Sequence, residues 1–458
     1  MGASVADGDQ FQYQRLASGQ WTTIHVPIPD GYPNFESFSE EMARADSLVA
    51  ATHIADLRTA ALKEWLNRSR SLPVNISFTQ WDDSRPPSSL PAPQSHHSYP
   101  IVDTILSVAH RWREISIGAP AQTMVRFLRH PPHELPFLES LDFDFTLGFP
   151  NNLAIAEIPL EDHNIYRTPS LRKLSLMQHP GDCLQLPVSW ARLTDLTIER
   201  KWRVGLPGLP LPQAVELLSR CPRLVRCRLE IRFAETSPVQ FPLITLPDLE
   251  SLTILEGTDV TSMFNCLDLP VLREIGYHTA IVPSLAKRSS LLTLLKKSNG
   301  LIWKFVTNPQ LFTRTDLIEC LRLIPNATTL IFKPSPNLVG EDVMATILDK
   351  EFLYSFLPSA SGRKTICPQL INLQITFRFP YLLNEELLEF LLEKQGARSS
   401  EILAPLKRLW ISWEMDIVPD LARLVEEGLD LRLGYPPRTF KPLFSPLDGL
   451  RCGDLTVA

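Results

Sequence analysis

Glycine is scarce in this chain, at 19 of 458 residues. A backbone that cradles phosphates needs glycine where it closes on the ligand, so the shortage argues against a nucleotide enzyme of the glycine-loop kind. Gly362-Arg363-Lys364-Thr365 ends like a phosphate loop, but the glycine that should stand ahead of the lysine is missing. Basic charge is short as well: 45 Lys and Arg stand against 51 Asp and Glu, a formal net charge of −6. Neutralising a phosphate backbone needs clustered cations, so no nucleic-acid partner is expected. No stretch approaches the roughly 18 consecutive apolar residues of a membrane span. Met1–Gln20 carries no basic segment followed by an apolar run, and Ala6 stands where a myristoylation signal needs Ser or Thr. The expectation is a soluble protein of the cytoplasm and/or nucleus with no membrane partner. Seven cysteines, an odd number in a long chain, fit free thiols in a reducing compartment. The sequons at Asn67, Asn75 and Asn326 are then without consequence.

Catalytic constellations are also missing. His133-Glu134 is followed by Leu135-Pro136-Phe137, so no second histidine completes a zinc-binding helix and the proline would break one. His96-His97 and the pair His130 and His133 lack a cysteine or carboxylate at ligand spacing, and no Gly-x-Ser-x-Gly elbow occurs. Cys227 falls in a core position, where a thiol acts as a small hydrophobe. No enzyme, cofactor or metal is expected.

What the chain has in excess is leucine, 72 residues, and proline, 40 residues or about 9%, against roughly 5% on average. The two excesses belong to one pattern. A proline or similar breaker, one residue, an apolar residue, two polar residues and an apolar-polar-apolar alternation recur along the chain. Pro136-Phe137-Leu138-Glu139-Ser140-Leu141-Asp142-Phe143 and Pro169-Ser170-Leu171-Arg172-Lys173-Leu174-Ser175-Leu176 are clear copies. Others begin at His110, Ala191, Pro222, Pro247, Pro270, Pro325, Pro368 and Pro405, about ten in all, at spacings that bracket the leucine-rich-repeat period. The first apolar residue closes a turn, and the alternation after it is a short strand with one buried face. Helical segments lie between many copies: Ile101–Ala109, Ala121–Arg129, Gln213–Ser219, Ser284–Lys297, Asp316–Leu323, Glu341–Leu348, Glu385–Lys394 and Pro419–Glu427. Thr315 and Asn384 are placed to cap two of them.

Strand, turn and helix in repetition predict an α/β fold, an irregular leucine-rich-repeat solenoid or horseshoe with short parallel strands on the concave face and helices outside. An ordinary α/β domain with leucine-rich strands is the plainer alternative. The solenoid should run over 101–435, with a cap region over 21–79 and a C-terminal tail over 436–458. That cap holds an amphipathic helix, Asp56–Arg70, with Leu57, Ala60, Ala61, Trp65 and Leu66 at helical spacing, and a strand at Val74–Phe78. The Pro/Ser/His-rich segment 80–100 reads as a surface loop, 1–20 as disordered, and Lys350–Thr365 as a second loose insertion.

If the leucines point inward, the residues alternating with them form a stripe on the concave face. Its charged and aromatic members are Asp142, Asp144, Lys173, Asp195, Glu199, Arg226, Arg228, Glu230, Arg408 and Trp410. An exposed Trp beside Arg has the composition of a binding hot spot. Trp410 either serves that role or packs against the C-terminal segment. The mixed charge favours a protein partner on this face.

The order of several segments resembles the F-box/leucine-rich-repeat-like proteins of mushroom-forming fungi. Trp21-Thr22-Thr23-Ile24-His25-Val26 looks like the segment that follows the F-box in that family. Leu62–Ile76 looks like its characteristic helix and strand, and His110-Arg111-Trp112-Arg113 like the start of its repeats. Asp316–Pro325 and Leu424–Leu431 are similar to later segments, so the resemblance runs from about Trp21 to Leu433. It implies the substrate-recognition part of a cullin-type ubiquitin ligase, in which an F-box grips an adaptor and the repeats select a protein substrate. The F-box should precede Trp21, where Met1–Gln20 are polar; the expectation is that this helical module is absent or truncated, and that the adaptor is a partner only of a longer native chain. A structural or assembly solenoid with no ubiquitin role is the alternative.

Overall fold

The computed structural model describes residues 23–28, 40–80, 99–119, 121–145, 159, 162–179, 181–199, 208–233, 240–256, 259–279, 291–298, 300–309, 312–333, 348–358, 364–375, 384–396, 403–412, 422–426 and 428–434. Two compact units divide the chain after Leu193. In the first, β1 (Thr23–Ile28), β2 (Val74–Gln80), β3 (Trp112–Gly118), β4 (Ser140–Asp144) and β5 (Lys173–Met177) pair in chain order, every pair parallel. In the second, β6 (Asp195–Glu199), β8 (Arg226–Phe233), β10 (Ser251–Glu256), β12 (Glu274–Thr279), β13 (Lys304–Thr307), β14 (Thr329–Phe332), β15 (Asn372–Ile375), β16 (Arg408–Ser412) and β17 (Asp430–Gly434) do the same. The two-residue β7 (Leu209–Pro210) pairs with β8, and β9 (Ile244–Thr245) pairs with β11 (Leu267–Asp268). The protein is therefore an α/β protein built on long runs of parallel strands.

The prolines have a single job in seven of these repeats. In Leu135-Pro136-Phe137-Leu138 the Leu138 N–H donates to the Leu135 carbonyl, a β-turn with proline at its second position. The same i+3 bond, 3.0–3.4 Å long, closes the turns that hold Pro169, Pro222, Pro247, Pro270, Pro325 and Pro368. Proline presets the dihedral that this position requires. Beyond the turn, one carbonyl accepts two amides from the next repeat: Val225 O from Glu250 N and Ser251 N at 2.9 and 3.1 Å, then Glu250 O from Arg273 N and Glu274 N at 2.8 and 2.9 Å. Arg273, Trp303, Thr328 and Ile371 repeat the arrangement, so each turn hands its neighbour a fixed register.

That register sorts the side chains. Leu196, Cys227, Leu252, Ile275, Phe305, Leu330, Leu373 and Leu409 form one in-register row, all buried. Ile198, Leu229, Ile254 and Tyr277 begin a second. Thr307 continues it where an apolar residue would serve; its hydroxyl, fully buried, donates to the Tyr277 carbonyl at 2.7 Å. In the first unit Ile76, Ile115, Leu141 and Leu174, and Phe78, Ile117, Phe143 and Leu176, do likewise. Helices cover this apolar side with their own buried residues, for example Ala214, Val215, Leu217 and Leu218 of Leu211–Arg220 and Leu317, Cys320 and Leu321 of Arg314–Arg322.

Several expectations change. The cap of the second of these helices is Thr313, whose hydroxyl accepts from Asp316 N at 3.1 Å, not Thr315. Lys350–Thr365 is not a loose insertion throughout: Asp349 caps a helix, Lys350–Tyr354, and Phe352, Leu353, Phe356 and Ile366 are buried, because aromatic side chains recur on its inner face. The helix read as Asp56–Arg70 belongs to Glu40–Arg68, with Leu62, Trp65 and Leu66 buried but Leu57 and Ala60 exposed. Strand β13 was hidden from the repeat pattern because Gly300, at φ +71°, replaces the proline turn. The expected helix Glu341–Leu348 (apart from Leu348), residues 1–20 and most of 80–100 and 436–458 lie outside the described residues. No described helix is long and apolar enough to cross a membrane.

Two predictions test this packing. A Cβ at Gly276 would lie 2.6–3.1 Å from the Oγ1, Cγ2 and Cβ atoms of Thr253 on the neighbouring strand. Gly276→Ala should therefore lower stability by about 1–3 kcal/mol in urea unfolding, and Thr253→Ala should restore most of it. Lys394 is fully buried, its Nζ has no hydrogen-bond partner among the described residues, and burial pushes its ammonium down to about 8 from 10.5. Such a shift costs folding on the order of 3 kcal/mol below pH 8, where folded and unfolded chains both hold the proton. Between about pH 8 and 10.5 only the unfolded chain holds it, so stability should rise with pH; Lys394→Met should be more stable at neutral pH and flat across that window.

Candidate functional site

Alternate residues on each strand point away from the leucine rows, and the parallel register lines them up across the sheet. In the first unit the open face carries Asn75, Glu114, Ser140 and Lys173 in one row, and Ser77, Ser116, Asp142 and Ser175 in the next. The Ser116 hydroxyl donates to Asp142 Oδ2 at 2.8 Å, and Lys173 Nζ lies 3.7 Å from Glu114. Asp144 stands beyond them between Gly118 and Met177, half-buried. The three residues expected on this part of the stripe, Asp142, Asp144 and Lys173, thus share the face.

In the second unit the first row reads Asp195, Arg226, Ser251, Glu274, Lys304, Thr329, Asn372, Arg408 and Asp430. Its charges neutralise one another locally. Arg226 pairs with Asp195, Lys304 with Glu274 at 3.0 Å, and Arg408 with Asp430 at 3.0 Å. The second row reads Thr197, Arg228, Thr253, Gly276, Val306, Ile331, Gln374, Trp410 and Arg432. Here Arg228 reaches Glu199, one strand away. Trp410, exposed at 38%, stands opposite Gln374 on the edge of a half-buried apolar stretch made by Val306 and Ile331.

Glu230 departs from expectation. It has the parity of the open face, but only 2% of it is exposed, and it interacts with the Arg228 charge. It is a buried carboxylate on the open-face side of β8, beside the Arg228 charge. His278 sits in the same row as Glu230. Burial, then the positive charges of Arg228 and Lys333, push its imidazole down to about 4, so it is neutral at physiological pH. Neither Lys333 nor His278's neutrality was legible in the repeat pattern; Lys333 lies one residue past the end of β14, and its N–H donates to Thr307 O at 2.9 Å, which continues the ladder.

The six described cysteines are free and buried, and burial raises the thiols of Cys221 and Cys367 to about 12, far from a reactive thiolate. His130 contacts Glu134 at 3.2 Å and His133 is exposed. No group of three or more metal-ligating side chains occurs among the described residues. Searches against family models and against curated proteins find no match to this chain.

The difference between Arg226 and Arg228 is measurable. Arg226 forms an exposed pair, so Arg226→Ala should cost less than about 1 kcal/mol. Arg228→Ala removes the cation beside buried Glu230 and should cost about 1–3 kcal/mol. Urea midpoints of the two variants give the comparison.

Proposed function

We propose that this protein is a non-catalytic, protein-binding scaffold of the leucine-rich-repeat type, in which the open sheet face holds a protein ligand. The observation that carries this reading is the split between the faces: one is filled with leucine and phenylalanine under helices, while the other offers in-register rows of short polar residues, locally paired charges and an exposed tryptophan. Such a face is broad and patterned, and protein recognition uses surfaces of this kind, with an aromatic anchor at the centre and polar groups around it. Convergent carboxylates, thiolates or metal ligands, which an active site would need, are not gathered on it among the described residues.

The resemblance to F-box/leucine-rich-repeat-like proteins supports a narrower version: the substrate-recognition part of a cullin-type ubiquitin-ligase receptor, acting in the cytoplasm or nucleus. In that version an F-box would supply the contact to the cullin adaptor.

The test uses a photo-crosslinking amino acid at position 410 and, as a control, at the exposed position Leu392 on the helix Asn384–Gly396. In cells, position 410 should capture one discrete protein, and the isolated partner should bind the Trp410→Ala variant at least about ten-fold more weakly. Equal capture at the control position, or unchanged affinity of Trp410→Ala, would place the site elsewhere.

A further inference from the structure

Across β12–β16 the open face changes character. To the β6 side Arg226 and Arg228 each have a carboxylate partner, and Thr197, Ser251 and Thr253 beside them are hydroxyls. From β13 onward the central row turns apolar, with Val306 and Ile331 half-buried, followed by Gln374 and exposed Trp410. Cations flank it on both sides, Lys304 and Arg408 in the first row and Lys333 on the opposite side. Lys333 is exposed and no carboxylate pairs with it among the described residues, whereas Lys304 and Arg408 are matched by Glu274 and Asp430. Its positive charge reaches His278, as does that of Arg228.

We infer that this part of the face takes an acidic-apolar segment of a protein partner: an aliphatic or aromatic side chain seated between Ile331 and Trp410, and an Asp or Glu delivered to Lys333. The inference rests on the reading of the open face as the binding face and adds the chemistry of the occupant. Charge complementarity selects the acid, because Lys333, which no carboxylate pairs with among the described residues, stands beside the apolar floor. Burying an apolar anchor against Trp410 and Ile331 supplies affinity, and the carboxylate fixes direction. The spacing follows from sheet geometry. Two strands at about 4.8 Å and two residues at about 3.3 Å separate Trp410 from Lys333, roughly 12 Å on the diagonal. An extended segment covers that distance in three or four residues, so the acid should lie three or four positions from the anchor. A basic partner is disfavoured, since it would meet Lys333 with no acid to receive it.

The experiment is a selection of random 12-residue peptides displayed on phage against the full chain, counter-selected on a Trp410→Ala, Lys333→Glu double variant whose melting temperature matches the parent. The expected winners carry Leu, Ile, Phe or Trp three or four residues from Asp or Glu. A synthetic winner should lose about ten-fold in affinity to either single variant. Selection on Lys333→Glu should replace the acid with Lys or Arg. Saturation with the acidic winner should also raise the titration midpoint of His278 from about 4, because the added carboxylate offsets the charges that depress it. Winners that are uncharged or basic yet still need Trp410 would overturn the acidic assignment and leave the binding face standing. Failure of any peptide to enrich, or winners indifferent to both substitutions, would overturn both.

Discussion

One backbone constraint organises each unit: a β-turn closes with its fourth residue's N–H on the first residue's carbonyl, and the next carbonyl then holds two amides of the following repeat. A parallel strand pair cannot be joined by a tight hairpin, so its register has to be set some other way. Here it is set at the start of each strand. A slip of one residue would turn every leucine outward and every serine, arginine or aspartate inward. The doubly accepting carbonyls of Thr194, Val225, Glu250, Arg273, Trp303, Thr328 and Ile371 oppose that slip at seven successive steps of the second unit, from β6 to β16, and Glu139 does so in the first.

The proposed function follows from that sorting. Because the apolar side is sealed by helices and by rows of Leu, Ile and Phe, what each strand offers outward is free to vary without loss of the core. The open face uses this freedom unevenly. Arg226 with Asp195, Arg228 with Glu199, Lys304 with Glu274 and Arg408 with Asp430 are neighbours across strands, an arrangement that keeps a charge-rich sheet face from repelling itself. Those pairs are worth little stability individually. In the proposed reading they leave Lys333 and Trp410 as groups with something to offer a partner.

Much of the fold was legible in the sequence, since leucine spacing and proline position are consequences of the same turn. Wherever proline stood two residues before the first leucine, a turn and a strand follow in the structure. The pattern failed where another residue solves the same problem. Gly300 reaches the turn geometry through positive φ, and Thr307 fills a core position by bonding its hydroxyl to Tyr277 O, so β13 looked like neither a copy nor a strand. The helix Lys350–Tyr354 was missed because its five residues are too few for a periodicity to show. Of the expected stripe, the alternation placed Asp142, Asp144, Lys173, Asp195, Glu199, Arg226, Arg228, Arg408 and Trp410 on the right side of their strands. It could not show that Glu230 is covered, nor that most of the charges are paired, because those facts depend on strands distant in sequence.

Amide hydrogen exchange under native conditions reads the central constraint directly. The account predicts that the two amides at the start of each strand, Glu250 and Ser251, Arg273 and Glu274, Thr328 and Thr329, Ile371 and Asn372, exchange as slowly as the interior amides of the same strands, although Glu250 and Arg273 have exposed side chains. Fast exchange of those paired amides, with the strand interiors still protected, would contradict it.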